Sequence, residues 1–228
     1  MVDHASIYAG QADVYEEMIA KQPDLSGVLE EIRPFDGLDA ADVGAGTGRL
    51  SVVLGPRVRS LAAFDASTAM LDVLAGKLRS RGLTNWRTEQ ADHRKLPLAD
   101  KSVDLIVSGW SVSYLCNSDV PGYRSHVHEI IGEMKRTLRP GGTIVLFETM
   151  GTGTATPAPP RFLLDYYETL EQELGFSHRW IRTDYTFGSL AEAERLTRFF
   201  FGSELAAQVL RNGWTVVPEC AGIWWLHV

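Results

Sequence analysis

The chain has 228 residues, enough for one α/β domain with a sizeable core, since 45% of them are hydrophobic. Its formal net charge of −7 argues against nucleic acid as the main partner, because proteins that bind phosphate backbones usually present a basic face. There is no secretory signal pattern at the start and no apolar run long enough to cross a bilayer. We therefore expect a cytoplasmic monomer or homodimer with no membrane partner, in which Cys116 and Cys220 are buried thiols.

The N-terminal part of the chain is predicted to be helical. Helices over residues 11–22 and 25–32 are each followed by a proline. Beyond residue 36, short apolar runs alternate with helical patterns, which is typical of parallel βαβ units in a doubly wound sheet. The predicted elements here are strands over 40–44, 61–65, 86–90, 104–108 and 143–148, helices over 49–54 and 68–81, and a helix of about 18 residues before the fifth strand.

The last third of the chain is expected to complete the same sheet, because it is too short for a core of its own. A loop rich in glycine, threonine and proline comes first, and Ser189 with Glu192 forms a capping-box pattern further on. The three phenylalanines at 199–201 are expected in the core. The predicted elements are helices over 162–174 and 190–212 and strands over 179–187 and 223–228.

A glycine-rich loop follows the first predicted strand. Gly44, Gly46 and Gly48 allow positive φ angles and a close approach of a ligand to the backbone. The helix that follows offers free N–H groups, which attract a carboxylate or a phosphate. The dinucleotide fingerprint has a further glycine where this chain has Arg49, and the Gly-Lys-Ser/Thr ending of a P-loop is absent. A G-x-G-x-G loop preceded by Asp42 remains.

Two acids narrow the ligand of this loop. Asp65 ends the second predicted strand, where a carboxylate can accept both hydroxyls of a ribose. Asp92 follows the third strand, where it can accept from the amine of an adenine, while the His93 backbone meets a ring nitrogen. Met70 can lie against the adenine face. These features describe an adenosyl amino acid better than a pyrophosphate.

Four segments, taken in order, resemble those of the class I S-adenosylmethionine-dependent methyltransferases, particularly the small-molecule branch that includes the ubiquinone/menaquinone-biosynthesis type. The segments are ADVGAGTGRL (41–50), AAFDAS (62–67), EQADHRKLPLADKSVDLIVSGWSVSYL (89–115) and RTLRPGGTIVLFE (136–148). The resemblance implies a Rossmann-like α/β fold: a doubly wound, mostly parallel sheet of seven strands with helices on both faces and an antiparallel final strand. It also implies S-adenosylmethionine as the cofactor. Within one domain, the expected parts are a helical lid over 1–35, a cofactor-binding core over 36–150 and a substrate side over 151–228.

The resemblance also assigns site residues. It implies that Gly44 to Gly48 hold the methionine portion and that Gly109 and Trp110 line the floor near the methyl group; His93 departs from the small or apolar residue expected there. The expected cofactor-binding residues are Tyr15, Gly44, Ala45, Gly46, Asp65, Ala66, Met70, Asp92, His93 and Gly109. The expected substrate-binding residues are Tyr8, Trp110, Tyr114 and Tyr166, with Trp180 a further aromatic candidate.

The expected reaction is in-line methyl transfer to a small-molecule acceptor, aided mainly by positioning. If the acceptor is a hydroxyl, His126 and His93 are the candidate bases. His126 and His128 face different sides of a helix, so we expect no metal site there. Two alternatives stay open at this point: a nicotinamide-dependent oxidoreductase and a non-catalytic S-adenosylmethionine-binding protein. Neither the acceptor nor the atom that is methylated follows from the sequence.

Overall fold

The computed structural model describes residues 3–228. Its centre is a seven-stranded sheet whose order is β3-β2-β1-β4-β5-β9-β6. The strands are β1 (Asp39–Val43), β2 (Ser60–Asp65), β3 (Trp86–Gln90), β4 (Val103–Gly109), β5 (Leu138–Thr152), β6 (Ser177–Arg182) and β9 (Glu219–His227). β1 to β5 are mutually parallel, and β9 lies antiparallel between β5 and β6. The predicted fold class is confirmed, including the antiparallel final strand.

Helices cover both faces of this sheet, because side chains alternate along each strand. Ala41 and Ile106 face a cluster that includes the buried side of α6, whereas Ala40 and Leu105 face one that includes Leu74 of α5. The helices are α1 (His4–Gly10), α2 (Ala12–Ile19), α3 (Ser26–Ile32), α4 (Ser51–Leu54), α5 (Thr68–Ser80), α6 (Tyr123–Thr137), α7 (Leu164–Glu168), α8 (Leu190–Phe201) and α9 (Ser203–Asn212).

The carboxyl ends of the parallel strands form the edge on which the site lies. The strand order reverses between β1 and β4, which are neighbours although β2 and β3 separate them in the chain. In doubly wound sheets a ligand crevice opens at such a reversal. A smaller cluster, formed by α2, α8 and the strand pair β7 (Tyr185–Thr186) and β8 (Val216–Val217), packs beside this edge.

Local predictions fared unevenly. The predicted cap at Ser189 is confirmed, since its side chain accepts from the Glu192 N–H, and Ser67 likewise caps α5 by accepting from the Met70 N–H. The single helix over 190–212 is wrong, because Gly202, at φ 90° and ψ −177°, separates α8 from α9. The strand over 179–187 is also wrong, since β6 ends at Arg182 and β7 pairs with β8 instead.

Two other features of the chain are clear from the structure. Helix α1 lies within residues 1–35, where helical structure was expected, although no individual helix was assigned there. The helix expected over 162–174 has a 3₁₀ turn before α7 and a π turn, Thr169–Glu173, after it. Cys116 and Cys220 are free and buried, as expected. Within residues 3–228, no helix is both long enough and apolar enough to span a membrane.

Candidate functional site

The glycine loop leaves the carboxyl end of β1 and is tied to β2. The N–H groups of Gly44 and Ala45 both donate to the carbonyl of Phe64, each at 2.8 Å. Gly44 has a φ of +75°, and a Cβ there would overlap the side chain of Ser111 and lie 2.8 Å from His93 Nε2. Only glycine satisfies both conditions at this position.

Asp65 braces this loop from the end of β2. Its Oδ2 accepts from the Gly46 N–H and its Oδ1 from the Ser67 N–H, each at 2.8 Å. Ser67 Oγ in turn donates to the carbonyl of Tyr8, so α1 is attached beside the same strand end. The structure therefore brings Asp65 to the glycine loop, as the sequence predicted.

A cavity of about 500 Å³ opens above the loop, across the carboxyl ends of β1, β4 and β5 and the start of β9. Helices α1, α2 and α8 close it from the other side. Eight of the residues predicted for the site line it: Tyr8, Tyr15, Gly44, Ala45, Gly46, Gly109, Trp110 and Tyr114.

Arg49 enters the cavity directly after the loop. Its guanidinium carbon lies 3.8 Å from the centre of the Trp110 ring, a cation–π geometry, and Trp110 itself has a φ of +51°. Arg49 Nε and Nη2 are buried and have no hydrogen-bond partner among residues 3–228, and neither does Thr47 Oγ1. Unpartnered donors beside a glycine loop suit a ligand that carries a carboxylate. The loop end of the cavity therefore fits the methionine portion of S-adenosylmethionine.

Three buried carboxyl groups also line the cavity, and sequence reasoning assigned no ligand role to any of them. They are Asp42 on β1, Glu148 on β5 and Glu219 on β9, each no more than 2% exposed. Burial raises the pKa of Asp42 and of Glu148 to about 7, and that of Glu219 to about 8. At neutral pH these groups are therefore poised between their neutral and charged forms.

An aromatic cluster covers the mouth of the cavity. Tyr8 and Tyr114 share a hydrogen bond of 2.6 Å between their hydroxyls, and the Tyr15 ring lies edge-on to Tyr8 at 5.3 Å. The His4 ring stacks on Phe200 at 4.4 Å. Burial raises the pKa of Tyr8 and of Tyr15, so both hydroxyls stay protonated. Phe200 and Phe201 line the cavity and are only partly buried, which corrects their assignment to the core.

Five predicted cofactor residues lie outside the cavity lining, and one of them, Asp65, braces the loop with its carboxylate. Asp92 pairs with Arg94, which lowers the pKa of the Asp92 carboxyl to about 2. His93 Nε2 lies 2.8 Å from Ser111 Oγ, and burial lowers the pKa of this imidazole. Met70 is buried within α5, and the Ala66 carbonyl accepts from Gln90 Nε2.

The remaining candidates are also displaced from the cavity. Tyr166 is fully buried behind Glu148, to which its hydroxyl donates at 3.4 Å, so it supports the wall and does not form it. His126 Nδ1 lies 3.1 Å from the Leu115 carbonyl, away from the lining residues. Trp180 is 44% exposed on β6, which corrects both its acceptor-pocket and its core assignments. Within residues 3–228, no group of three or more His, Cys, Asp and Glu side chains is placed to hold a metal ion.

Known proteins similar in sequence to this chain include methyltransferases. Residues 41–146 match the methyltransferase domain family. The chain is 31% identical over 125 residues to a demethylmenaquinone methyltransferase of Staphylococcus aureus, covering 54% of this chain and 47% of that one. It is 31% identical over 137 residues to the ubiquinone/menaquinone biosynthesis C-methyltransferase UbiE of Idiomarina loihiensis, covering 58% and 49%. The chain thus matches about half the length of these relatives.

The fold likeness extends further along the chain than the sequence likeness. A crystal structure of a SAM-dependent methyltransferase from Aquifex aeolicus aligns with a TM-score of 0.60 and covers 95% of this chain and 98% of that chain. Sequence identity in that alignment is 16%, so it establishes the common architecture alone.

Proposed function

We propose that the chain is a class I S-adenosylmethionine-dependent methyltransferase that transfers a methyl group to a small-molecule acceptor. Its match to the methyltransferase domain family and its similarity to methyltransferases of the ubiquinone/menaquinone type support this proposal. One observation carries the proposal: a single cavity of about 500 Å³ joins the glycine loop to a wall of aromatic rings and carboxyl groups. This volume lies within the range of about 300–1,000 Å³ that is usual for small-molecule sites.

The loop side of the cavity would hold the cofactor. Gly44 to Gly46 would hold the methionine portion, with the buried donors of Arg49 available to its carboxylate. Asp65, which braces Gly46, would accept hydrogen bonds from the ribose hydroxyls. Tyr15 and Gly109, which line the cavity, complete the contacts there. The further proposed adenosine contacts lie beside the cavity lining: Ala66, Asp92 and His93 follow strands β2 and β3, and Met70 is on α5.

The chain's own contribution to the reaction would be positioning and the exclusion of water. When bound, S-adenosylmethionine supplies an activated methyl group on its sulfonium. Trp110 and Tyr114 would orient the acceptor for an in-line displacement, and the N-terminal helices α1 and α2 would act as the lid. Tyr8 belongs to this lid, because its hydroxyl joins Tyr114 across the mouth. No covalent intermediate with the protein is needed.

Ligand binding and methyl transfer together test the proposal. S-adenosylhomocysteine at about a hundred times its dissociation constant should stabilise the protein by about 2.7 kcal/mol in thermal unfolding. NADH serves as the comparison ligand, because the nicotinamide alternative predicts the reverse preference. Stabilisation by NADH and not by S-adenosylhomocysteine contradicts the proposal. A panel of small acceptors, followed by a mass increase of one methyl group, then separates an enzyme from a passive binder.

A further inference from the structure

Two glutamates line the cavity on its β5 and β9 side. Glu148 lies on β5, and Glu219 is the first residue of the neighbouring strand β9. Glu148 is 1% exposed and Glu219 is 2% exposed. In each of them Oε2 is buried and has no hydrogen-bond partner among residues 3–228. A buried carboxylate without a donor is costly, so each of these oxygens has room for a donor from a ligand.

Their other oxygens are already held by the protein. Glu148 Oε1 accepts from the Ser113 N–H at 3.0 Å and from the Tyr166 hydroxyl at 3.4 Å. Glu219 Oε1 accepts from Thr149 Oγ1 at 3.4 Å. These bonds orient both carboxyl groups before any ligand arrives. Ser113 follows the end of β4 closely, so Glu148 lies nearer than Glu219 to the floor residues Gly109 and Trp110.

The sheet order separates these glutamates from the methionine end of the cavity. β9 is three strand positions from β1, which at about 4.8 Å per strand is roughly 14 Å from the strand that carries the glycine loop. Glu219 therefore belongs to the acceptor side. The rings nearest in the lining to this side are those of Tyr185, Phe200 and Phe201, since α8 and β7 pack there.

The lining is acidic in balance. Among the residues that the structure describes, it contains three carboxyl side chains, Asp42, Glu148 and Glu219, and one guanidinium, Arg49. Arg49 stacks on Trp110, and its charge also acts on Glu219, where it opposes the larger effect of burial on the pKa of that carboxyl group. His4, at the lid, is the other basic side chain that the described residues contribute to the lining. Carboxylates surrounded by aromatic faces are suited to a cation, which gains from both.

We propose that the methyl acceptor is a primary or secondary amine that binds as its cation, with its ammonium on Glu219 and its proton passed to Glu148. This inference rests on the proposed function. The ammonium first gives one proton to the Glu148 carboxylate. The nitrogen lone pair then forms the N–C bond while the methyl–sulfur bond breaks, and that bond's electron pair stays on sulfur. The products are an N-methylated ammonium and S-adenosylhomocysteine, and Glu148 returns its proton to solvent.

Matched amine and alcohol probes test the inference on the protein saturated with S-adenosylhomocysteine. The pairs are 2-phenylethylamine with 2-phenylethanol and tryptamine with tryptophol, and 3-phenylpropionate is the anionic probe. Titration calorimetry at pH 7 should show at least one amine binding about tenfold or more tightly than its alcohol. Binding of the amine should also release protons, seen as a dependence of the heat on the buffer, because a bound cation favours the ionised carboxyl groups.

Variants assign the effect to the two glutamates. Glu219→Gln should reduce the preference for amine over alcohol about tenfold or more, and Glu148→Gln should lower kcat more than it raises KM and change the pH profile. Glu31→Gln, in an exposed ion pair with Arg179, is the matched control and should change neither. Neutral glutamine in place of an unpaired buried carboxyl group should not prevent folding, which thermal unfolding checks.

The outcomes separate this inference from the proposed function. If no amine binds more tightly than its alcohol, or if 3-phenylpropionate binds best, the inference is wrong. Methyl transfer to a neutral acceptor under those conditions leaves the proposed function intact. Failure of S-adenosylhomocysteine to bind overturns the proposed function itself, and it is measured before any acceptor is added.

Discussion

At the β1 end of the cavity a backbone loop, Gly44 to Gly46, is held in place by β2 and lies beside side-chain atoms of Thr47 and Arg49 that have no hydrogen-bond partner in the part of the chain that the structure describes. At the β5–β9 end the polar groups are the buried side chains of Glu148 and Glu219, each with one carboxylate oxygen hydrogen-bonded and the other without a partner among residues 3–228. The shape of this loop is fixed by β1 and β2 and does not depend on the acceptor, which suits a ligand common to a whole family. Side chains can change without altering the sheet. We therefore expect the loop end of the cavity to bind the cofactor and the β5–β9 end to determine which acceptor is bound.

Gly44→Ala should damage the backbone-lined end most severely. The added Cβ overlaps Ser111 and the residue is held at φ +75°, so we expect a loss of more than about 3 kcal/mol in the free energy of unfolding and no measurable binding of S-adenosylhomocysteine. Gly37→Ala is the matched control: its φ is +69°, but a Cβ meets no atom within 4 Å. It should lose only about 1–2 kcal/mol. Equal losses in chemical denaturation contradict the steric argument.

Glu219→Gln tests the acidic end through pH and stability. Burial raises the pKa of Glu219 to about 8, so between about pH 4.5 and 8 the folded protein keeps a proton that the unfolded chain has lost. Stability must then fall as the pH rises through this interval. Glutamine cannot ionise, so the variant should lose about 2–4 kcal/mol less than the wild type between pH 5 and 8.5.

Glu148→Gln should also reduce the loss of unfolding free energy with rising pH, but only up to about pH 7, since burial raises the pKa of Glu148 to about 7. Glu31→Gln, exposed and far from the cavity, should leave the curve unchanged. Denaturant unfolding at several pH values measures all three variants. If the curve of Glu219→Gln is parallel to that of the wild type, this residue is not buried as a neutral acid.

Asp65→Ala should act on the first end of the cavity by a smaller amount. The variant removes the proposed ribose acceptor and also frees the Gly46 N–H, so we expect S-adenosylhomocysteine to bind about ten- to a hundredfold more weakly. Asp72→Ala, at an exposed position of α5, is the control with the same chemistry. Calorimetric titration decides the matter: unchanged affinity in Asp65→Ala removes this residue from the site.

The β1 end of the cavity could be predicted because the residues that form it are close together in the sequence. Strand, glycine loop and helix are consecutive, and Asp65 is placed by the β1–β2 pairing that parallel strands require. His93 and Asp92 show the limit of local reasoning, since Arg94, two residues after Asp92, engages its carboxylate. That ion pair had a readable signal: opposite charges two residues apart in a turn.

The second end could not be predicted, because its residues meet only through tertiary pairing. Glu148 and Glu219 come together when β9 inserts antiparallel beside β5, and apolar strand patterns do not reveal which strands will be neighbours. Phe200 and Phe201 follow helical core spacing, yet the break at Gly202 ends α8 at the cavity wall. The sequence did contain one indication of this break, a glycine at position 202 within a helical pattern. In the structure this glycine has a positive φ.

Tyr8→Phe should have the smallest effect, because it alters the cover that both ends share. The change removes the 2.6 Å hydrogen bond to Tyr114 but keeps the ring that packs on Tyr15. One such bond contributes about 0.5–1.5 kcal/mol, so we expect KM for the acceptor to rise about two- to tenfold with kcat nearly unchanged. Tyr114→Phe removes the same bond and also the one between the Tyr114 hydroxyl and His4 Nδ1 at 3.1 Å, so the two changes together should cost no more than Tyr114→Phe alone. An additive loss in steady-state kinetics means that each hydroxyl contacts the acceptor separately and that the bond between them does not close the lid.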